Sequence, residues 1–207
     1  AALGIESRMV NGRRITDAEM LRVVTMVYGG LVNKNIVAQL QTRGGNALGL
    51  TGADMDVVRS HKRDVKDVDY GFVGDVDTVD GSRLADLIES GVVPVMAPLT
   101  HDGKGNILNT NADTIASETA KALSAYYDVT LVYAFEKAGV LADSDDEGSV
   151  IRCLDKEKFE KYVADGTIAG GMLPKLENAF AAIKAGVKRV AITRDTDLEV
   201  RCGTMIE

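Results

Sequence analysis

The sequence predicts an α/β protein built on a largely parallel central sheet, because strand-like and helix-like segments alternate along the chain. The segment 92–99 is a short apolar run, as expected of a strand covered on both faces, 129–134 is a further apolar strand-like segment, and 187–192 reads as a strand. The segments between them repeat apolar residues at helical spacing. Neither an internal repeat nor a low-complexity linker interrupts the pattern.

Thr16-Asp17-Ala18-Glu19 reads as a capping box, and Met20, Leu21, Val23, Val24 and Val27 supply the inner face of the helix it opens. Gly29-Gly30 loosens that helix, which resumes through Val32, Ile36, Val37 and Leu40 and stops at Gly44-Gly45. Residues 47–50 read as a short strand. Residues 54–79 carry valines alternating with charges, which suits antiparallel ribbons at a sheet rim. Asp80 caps a helix holding Leu84, Leu87 and Ile88, which leads to the run 92–99, expected as one strand buried on both faces, and then to a turn at Thr100-His101-Asp102-Gly103.

A helix over 112–125 follows, with Ile115, Ala116, Thr119, Ala120 and Leu123 inward and Asp113 at its start, placed to cap it. Beyond the strand 129–134, the acidic stretch 143–148 reads as a solvated turn, since it lacks the spacing of a calcium loop. Residues 155–164 are helical with Phe159 and Val163 inward. A helix over 174–185, with Pro174 in its first turn, leads to the strand 187–192. Ligands in such sheets lie beyond the carboxyl ends of strands, which points to the loops 100–113, 135–148 and 165–175.

Composition narrows the function classes. The chain has 207 residues, 45% of them hydrophobic, and a formal net charge of −7. General nucleic-acid binding is disfavoured, and an anionic ligand would need a local positive pocket. Cys153 and Cys202 form no metal-type cluster, and with His61 and His101 the only histidines a zinc site is not expected. No apolar stretch approaches a membrane span and the start lacks a signal-peptide pattern, so a cytoplasmic protein without membrane or nucleic-acid partners is expected.

Within Asn109-Thr110-Asn111-Ala112-Asp113 the two asparagines stand two apart, so in an extended segment their amides share a side. Asp113 reads first as a helix cap and second as an active-site carboxylate. Gly170-Gly171-Met172-Leu173-Pro174-Lys175 is a glycine-bearing loop running into a helix with an early lysine, an arrangement that suits phosphate oxygens, although it is not a Walker A loop. Arg13-Arg14 is either a carboxylate clamp or a solvated pair. Asn33 is mildly unfavourable inside a helix, which hints at a tertiary or ligand role. Glu136 through Leu141 follows a strand end, where a nucleotide could lie. Nothing resembles a Ser-His-Asp or Cys-His arrangement, and 44–49 misses the Gly-x-Gly-x-x-Gly of a dinucleotide fold.

Several of these segments in order resemble the acetylglutamate kinases of the amino-acid kinase family, from about Met9 to the C-terminus. The markers are 10–16, Val32-Asn33-Lys34, Leu48-Gly49-Leu50-Thr51-Gly52-Ala53-Asp54, Gly71-Phe72-Val73-Gly74-Asp75-Val76, 109–113 and 170–175. The resemblance implies a three-layer α/β/α sandwich forming one domain over 1–207, with an acceptor-binding and dimerising half at about 1–110 and a nucleotide-binding half at about 111–207. It implies ATP-dependent phosphorylation of the side-chain carboxylate of N-acetyl-L-glutamate, or a related N-acylglutamate, in arginine biosynthesis. Mg2+ would be held mainly by the nucleotide phosphates, and the working form would be a homodimer. Arg14 would hold an acceptor carboxylate, Asn109 would contact the acceptor and Asn111 would join that site. Asp113 would order the cationic groups around the phosphoryl group, and Lys175 would neutralise its growing charge. Nucleotide contacts would fall on Glu136, Lys137, Ala138, Gly139, Val140, Leu141, Thr167, Ile168 and Ala169; the family usually carries Asp where Glu136 stands. In the family a strand with a catalytic lysine and two glycine-rich loops precede these motifs. Neither stands before Ala1, which leaves as alternatives a nucleotide- and amino-acid-binding module unable to transfer phosphate, or a different amino-acid kinase.

Overall fold

The structure is a computed structural model that describes residues 7–10, 13–198 and 203–207. Cys202, Asn11, Gly12 and the side chain of Arg13, which figure in the sequence analysis, lie outside the described part, as does the segment 1–5. The chain divides into two compact units, Ala1–Ile115 and Ala116–Glu207. Both are α/β, as the sequence predicts.

In the first unit, β1 (Met9–Val10) and β2 (Arg13–Arg14) form an antiparallel ribbon. Helix α1 (Ala18–Val24) is capped by Asp17, whose carboxylate accepts from the Met20 N–H at 2.8 Å. The capping box expected at Thr16 is therefore displaced by one residue. Thr16 is fully buried instead, its N–H donating to the Tyr70 carbonyl at 2.9 Å and its carbonyl accepting from Phe72 at 2.6 Å. Gly71 makes this approach possible. It has φ +73, and a Cβ there would stand 2.2 Å from the Thr16 carbonyl oxygen.

Helix α1 does not break at Gly29-Gly30. It widens into a π-helical segment, Thr25–Val32, and continues as α2 (Asn33–Gln41). On the inner side Met20 and Val24 pack with Leu99. Just past the π segment Asn33 is buried and donates from Nδ2 to the Val95 carbonyl at 2.8 Å, which explains why a poor helix former stands there. Asn33 lies against β3 (Ala47–Leu50), which pairs in parallel with β6 (Val93–Met96). Gly49 of β3 is required by this fit, since a Cβ would fall 1.8 Å from Asn33 Oδ1.

The valine-alternating segment forms β4 (Val58–Lys62) and β5 (Gly74–Val79), an antiparallel pair as expected. Helix α3 (Gly81–Glu89) is capped by Asp80, which accepts from Arg83 N at 3.1 Å, and buries Leu84 and Ala85. The run 92–99 is not one strand. It ends as β6 at Met96, with Val93 47% exposed, and restarts as β7 (Leu99–His101), so Thr100 and His101 belong to a strand and the turn falls at 102–106. The reason is pairing, because β7 finds β4 on one side and β8 (Ile107–Asn109) on the other, giving a sheet ordered β5-β4-β7-β8.

Helix α4 (Ala112–Leu123) is capped by Asn111, whose Oδ1 accepts from Thr114 N at 3.1 Å. The cap expected at Asp113 is thus two residues earlier, and Asp113 sits inside the first turn. The second unit centres on β11 (Arg189–Arg194), in which Val190, Ala191, Ile192 and Thr193 are all buried. It lies between β9 (Thr130–Phe135), in parallel, and β12 (Thr204–Ile206), antiparallel, with β10 (Cys153–Leu154) beyond β12. Helix α5 (Lys156–Ala164) is capped by Asp155 and presents Phe159, whose ring lies 5.0 Å from Phe180. Val163, expected inward, is 37% exposed, and Tyr162 takes its place against the core. Helix α6 (Met172–Lys184) buries Leu176, Ala179 and Ala182 on one stripe; with Leu131, Leu154, Val190, Ile192 and Ile206 they form the core. Each fully buried Leu or Ile of this set contributes about 1.5–3 kcal/mol. Among the described residues no helix is long and apolar enough to cross a membrane.

Candidate functional site

In the first unit a cavity of about 220 Å³ is lined by Arg14, Tyr28, Arg63, Val73, Pro98, Asn109, Thr110, Asn111 and Ala112. It gathers all three residues expected to bind an acceptor, Arg14, Asn109 and Asn111. Arg14 arrives on β2, and its guanidinium donates to the Ser7 hydroxyl. Asn109 closes β8, where its backbone N–H donates to the Phe72 carbonyl at 2.8 Å. Its Nδ2 donates to Thr16 Oγ1 at 3.0 Å, and the buried Thr16 therefore fixes the amide plane from behind. With Nδ2 engaged, Oδ1 is left to accept from a ligand N–H. Asn111 lines the same cavity while capping α4.

Sequence reasoning missed Tyr28 and Arg63 here. Arg63 follows β4 directly and forms a bidentate pair with Asp75, with Nε 3.1 and 3.0 Å from the two carboxylate oxygens and one Nη also donating. The guanidinium lies over the Tyr70 ring, 5.8 Å from its centroid. The pairing holds the Asp75 carboxyl below the usual carboxylate range, and the Asp75 hydrogen bond raises Arg63 further. The only sequence signal was one arginine in the mixed-charge stretch Lys62-Arg63-Asp64-Val65-Lys66-Asp67, which does not distinguish it from a solvated charge.

In the second unit a cavity of about 660 Å³ is lined by Glu136, Lys137, Gly139, Val140, Leu141, Thr167, Ile168, Ala169 and Lys175, together with Ala134, Phe135, Ser144, Gly171, Met172 and Asp195. The two stretches expected to contact a nucleotide thus meet around one space, Ala138 alone of the set standing outside the lining. Val140, Leu141 and Ile168 are buried and give it an apolar wall. The wall is fixed by backbone bonds: Val140 N donates to Thr204 Oγ1 at 2.9 Å, and Ile168 N to the Tyr162 carbonyl at 2.9 Å. Lys137 donates to the Ser144 carbonyl at 3.0 Å, closing the acidic turn beside the cavity, and that turn is exposed as expected. The Thr167 hydroxyl and N–H at the Asp165 carboxylate hold its pKa below the usual range. Lys175 stands near the N-terminus of α6, where backbone N–H groups and the helix dipole favour an anion. Phe135, Ser144, Met172 and Asp195 were not foreseen; Phe135 and Asp195 follow from their places at and just beyond the ends of β9 and β11. Asp113 lines neither cavity. Among the described residues no group of three or more His, Cys, Asp or Glu could hold a metal ion.

An apolar wall with a lysine at a helix start suits a nucleotide, and a small cavity with guanidiniums and amides suits a carboxylate-bearing amide. A family model described as the amino acid kinase family matches residues 1–194. The acetylglutamate kinase of Bacteroides thetaiotaomicron is 72% identical over 207 residues, covering 100% of this chain and 80% of that protein. Among solved structures, smu.665 from Streptococcus mutans UA159 superposes with a TM-score of 0.82 at 27% identity, covering 99% of this chain and 78% of that one. The carbamate kinase from Giardia lamblia bound to AMP-PNP has a TM-score of 0.63 at 16% identity over 99% and 75% of the two chains, a likeness of fold alone.

Proposed function

The chain belongs to the amino acid kinase family, and on that premise we propose that it phosphorylates the side-chain carboxylate of N-acetyl-L-glutamate with ATP, giving an acyl phosphate in arginine biosynthesis. The carrying observation is the 72% identity to an acetylglutamate kinase along the whole chain. That identity does not favour the alternative of a binding module without transfer.

The chemistry sets the task. A glutamate side chain with pKa near 4.3 is ionised at neutral pH, so no general base is needed to make the nucleophile. One carboxylate oxygen bonds to the γ-phosphorus as the bridging P–O bond to ADP breaks, and the electron pair leaves on the β-phosphate. The obstacle is bringing two anions together, and cations offset it. Lys175 is proposed to neutralise charge on the transferring group, with Asp113 as the second catalytic residue. Arg14, Asn109 and Asn111 are proposed to bind the acceptor, Asn109 Oδ1 accepting from the acyl amide N–H. Glu136 through Leu141 and Thr167 through Ala169 are proposed to hold the nucleotide, the apolar wall at Val140, Leu141 and Ile168 taking its base. Mg2+ is proposed to enter with ATP, coordinated mainly by its phosphates. We assign acceptor binding to the first half of the chain, about 1–110, and nucleotide binding to about 111–207.

Self-association is part of the reading. Met26, Leu31, Val32 and Ile36 on the long helix, and Leu48 and Val93 on β3 and β6, are exposed, an apolar set suited to a second copy of the chain. The protein is placed in the cytoplasm, where ATP and a reducing environment for Cys153 are at hand.

A coupled assay of ADP release tests the function. N-acetyl-L-glutamate is expected to support turnover, and Lys175→Ala to lower kcat by about 100-fold or more. Near-normal turnover in that variant would remove Lys175 from the mechanism. An inert N-acetylglutamate beside an active aspartate, glutamate or carbamate would replace the acceptor.

A further inference from the structure

We infer that Arg63 is a second acceptor-binding cation, joining Arg14 on the acceptor's non-reacting carboxylate, and that Asp75 is its positioning residue. This rests on the acceptor reading above and adds to it a residue that neither the sequence motifs nor the family resemblance supplies.

Charge is the first observation. The protein carries a net charge of −7, yet the lining of the 220 Å³ cavity holds two guanidiniums and no carboxylate. Its other lining residues are neutral, and they include the asparagines that suit an amide. A surface so rich in acids would not place both cations on one small cavity without a use for them; they make the local positive pocket an anionic ligand requires.

Restraint is the second. Arg63 is held by Asp75 through Nε and one Nη, by the Tyr70 ring, and by its own backbone N–H on the Val73 carbonyl at 2.8 Å. Its side chain is only 22% exposed. A guanidinium that spends one edge on Asp75 keeps its second Nη for another acceptor, and the planar fork fixes where that nitrogen stands. Arg63 stands between two cavities, lining the neighbouring one with Asp64, Lys66, Asp67, Tyr70 and Asp75, whereas Asp75 is absent from the lining of the acceptor cavity. Asp75 therefore orders Arg63 without presenting its own charge to the acceptor.

Two cations on the non-reacting carboxylate have a kinetic purpose. One guanidinium lets the acceptor pivot, and either of its carboxylates could then be presented. Two contacts leave the side-chain carboxylate as the free end.

The experiment uses purified full chain, steady-state kinetics with N-acetyl-L-glutamate and ATP, and thermal melting of every variant. Arg63→Gln is expected to raise KM for the acceptor about 10- to 100-fold, the range for a lost hydrogen bond to a charged group, while KM for ATP stays unchanged. Asp75→Asn is expected to raise the acceptor KM less, since Arg63 remains but is less ordered. Arg63→Lys keeps the charge without the fork and is expected between wild type and Gln; it decides the matter if the Gln variant does not melt like wild type. An acceptor KM unchanged in a folded Arg63 variant overturns the assignment, as does a rise shared equally by ATP. A wild-type chain inert toward N-acetylglutamate overturns the function itself, and is told apart by that control.

Discussion

Replacing Gly71 by alanine probes stability and site geometry together. The residue has φ +73, and forcing an alanine into that region costs about 1–2 kcal/mol. The added Cβ would stand 2.2 Å from the Thr16 carbonyl oxygen and 2.8 Å from its carbonyl carbon, backbone atoms that cannot swing aside as a side-chain tip can. The Phe72 to Thr16 and Thr16 to Tyr70 hydrogen bonds must then lengthen, and each contributes about 0.5–1.5 kcal/mol net. A loss of about 2–5 kcal/mol is expected, a large share of the ~5–15 kcal/mol typical of a whole domain. Because Thr16 Oγ1 accepts from Asn109 Nδ2, the same displacement should raise KM for the acceptor in whatever folds. Urea unfolding followed by circular dichroism gives the first quantity and the coupled assay the second. A Gly71→Ala protein within about 0.5 kcal/mol of wild type would refute the reasoning, since ordinary surface changes fall in that range.

Helix α4 offers a comparison of caps: Asn111→Ala should lower stability by about 1 kcal/mol, and Asp113→Ala by less, measured by the same unfolding curves; equal losses would mean that Asn111 does not cap. In the β7–β8 turn, the Asn106 side chain and the Lys104 N–H hold the Asp102 pKa at about 2. Since the unfolded value is near 3.9, the turn's contribution is complete above about pH 4 and is lost as pH falls through the folded value. NMR titration should find Asp102 ionising near 2 and, in Asn106→Ala, closer to the unfolded value; an unmoved pKa would discard this account.

What the sequence made legible follows from how local each signal is. The segment 187–192 was legible as a strand, but Lys188 and Arg189 within it hid that Val190, Ala191 and Ile192 are buried in succession. Asp80 was readable as a helix start because a cap acts within three residues of itself. Asn33 was readable as an anomaly, but its partner Val95 is 62 residues away and no local rule names it. The assignment at Asn111 and Asp113 turned on which side chain faces the Thr114 N–H, a matter of one backbone dihedral. His101 became a strand residue because β4 and β8 were there to pair with it, and β12 and β10 are too short to show without the strands that each pairs with, β11 beside β12 and β12 beside β10. The same limit hid Arg63, whose partner Asp75 lies across the hairpin.

The π-helical segment between α1 and α2 bears on the length of the chain as well as its path. Each helical residue turns the helix by about 100°, and a π segment wraps more residues into its turns than the α-helix on either side. Because the wider turns take up the extra residue, excising one residue between Thr25 and Val32 would bring the run nearer a uniform helix and leave Asn33 close to its present face, toward Val95 and Gly49. The same deletion within α2 would rotate every later residue of that helix by about 100°, so the π segment is where this long helix can change its count and keep Asn33 docked on β3 and β6.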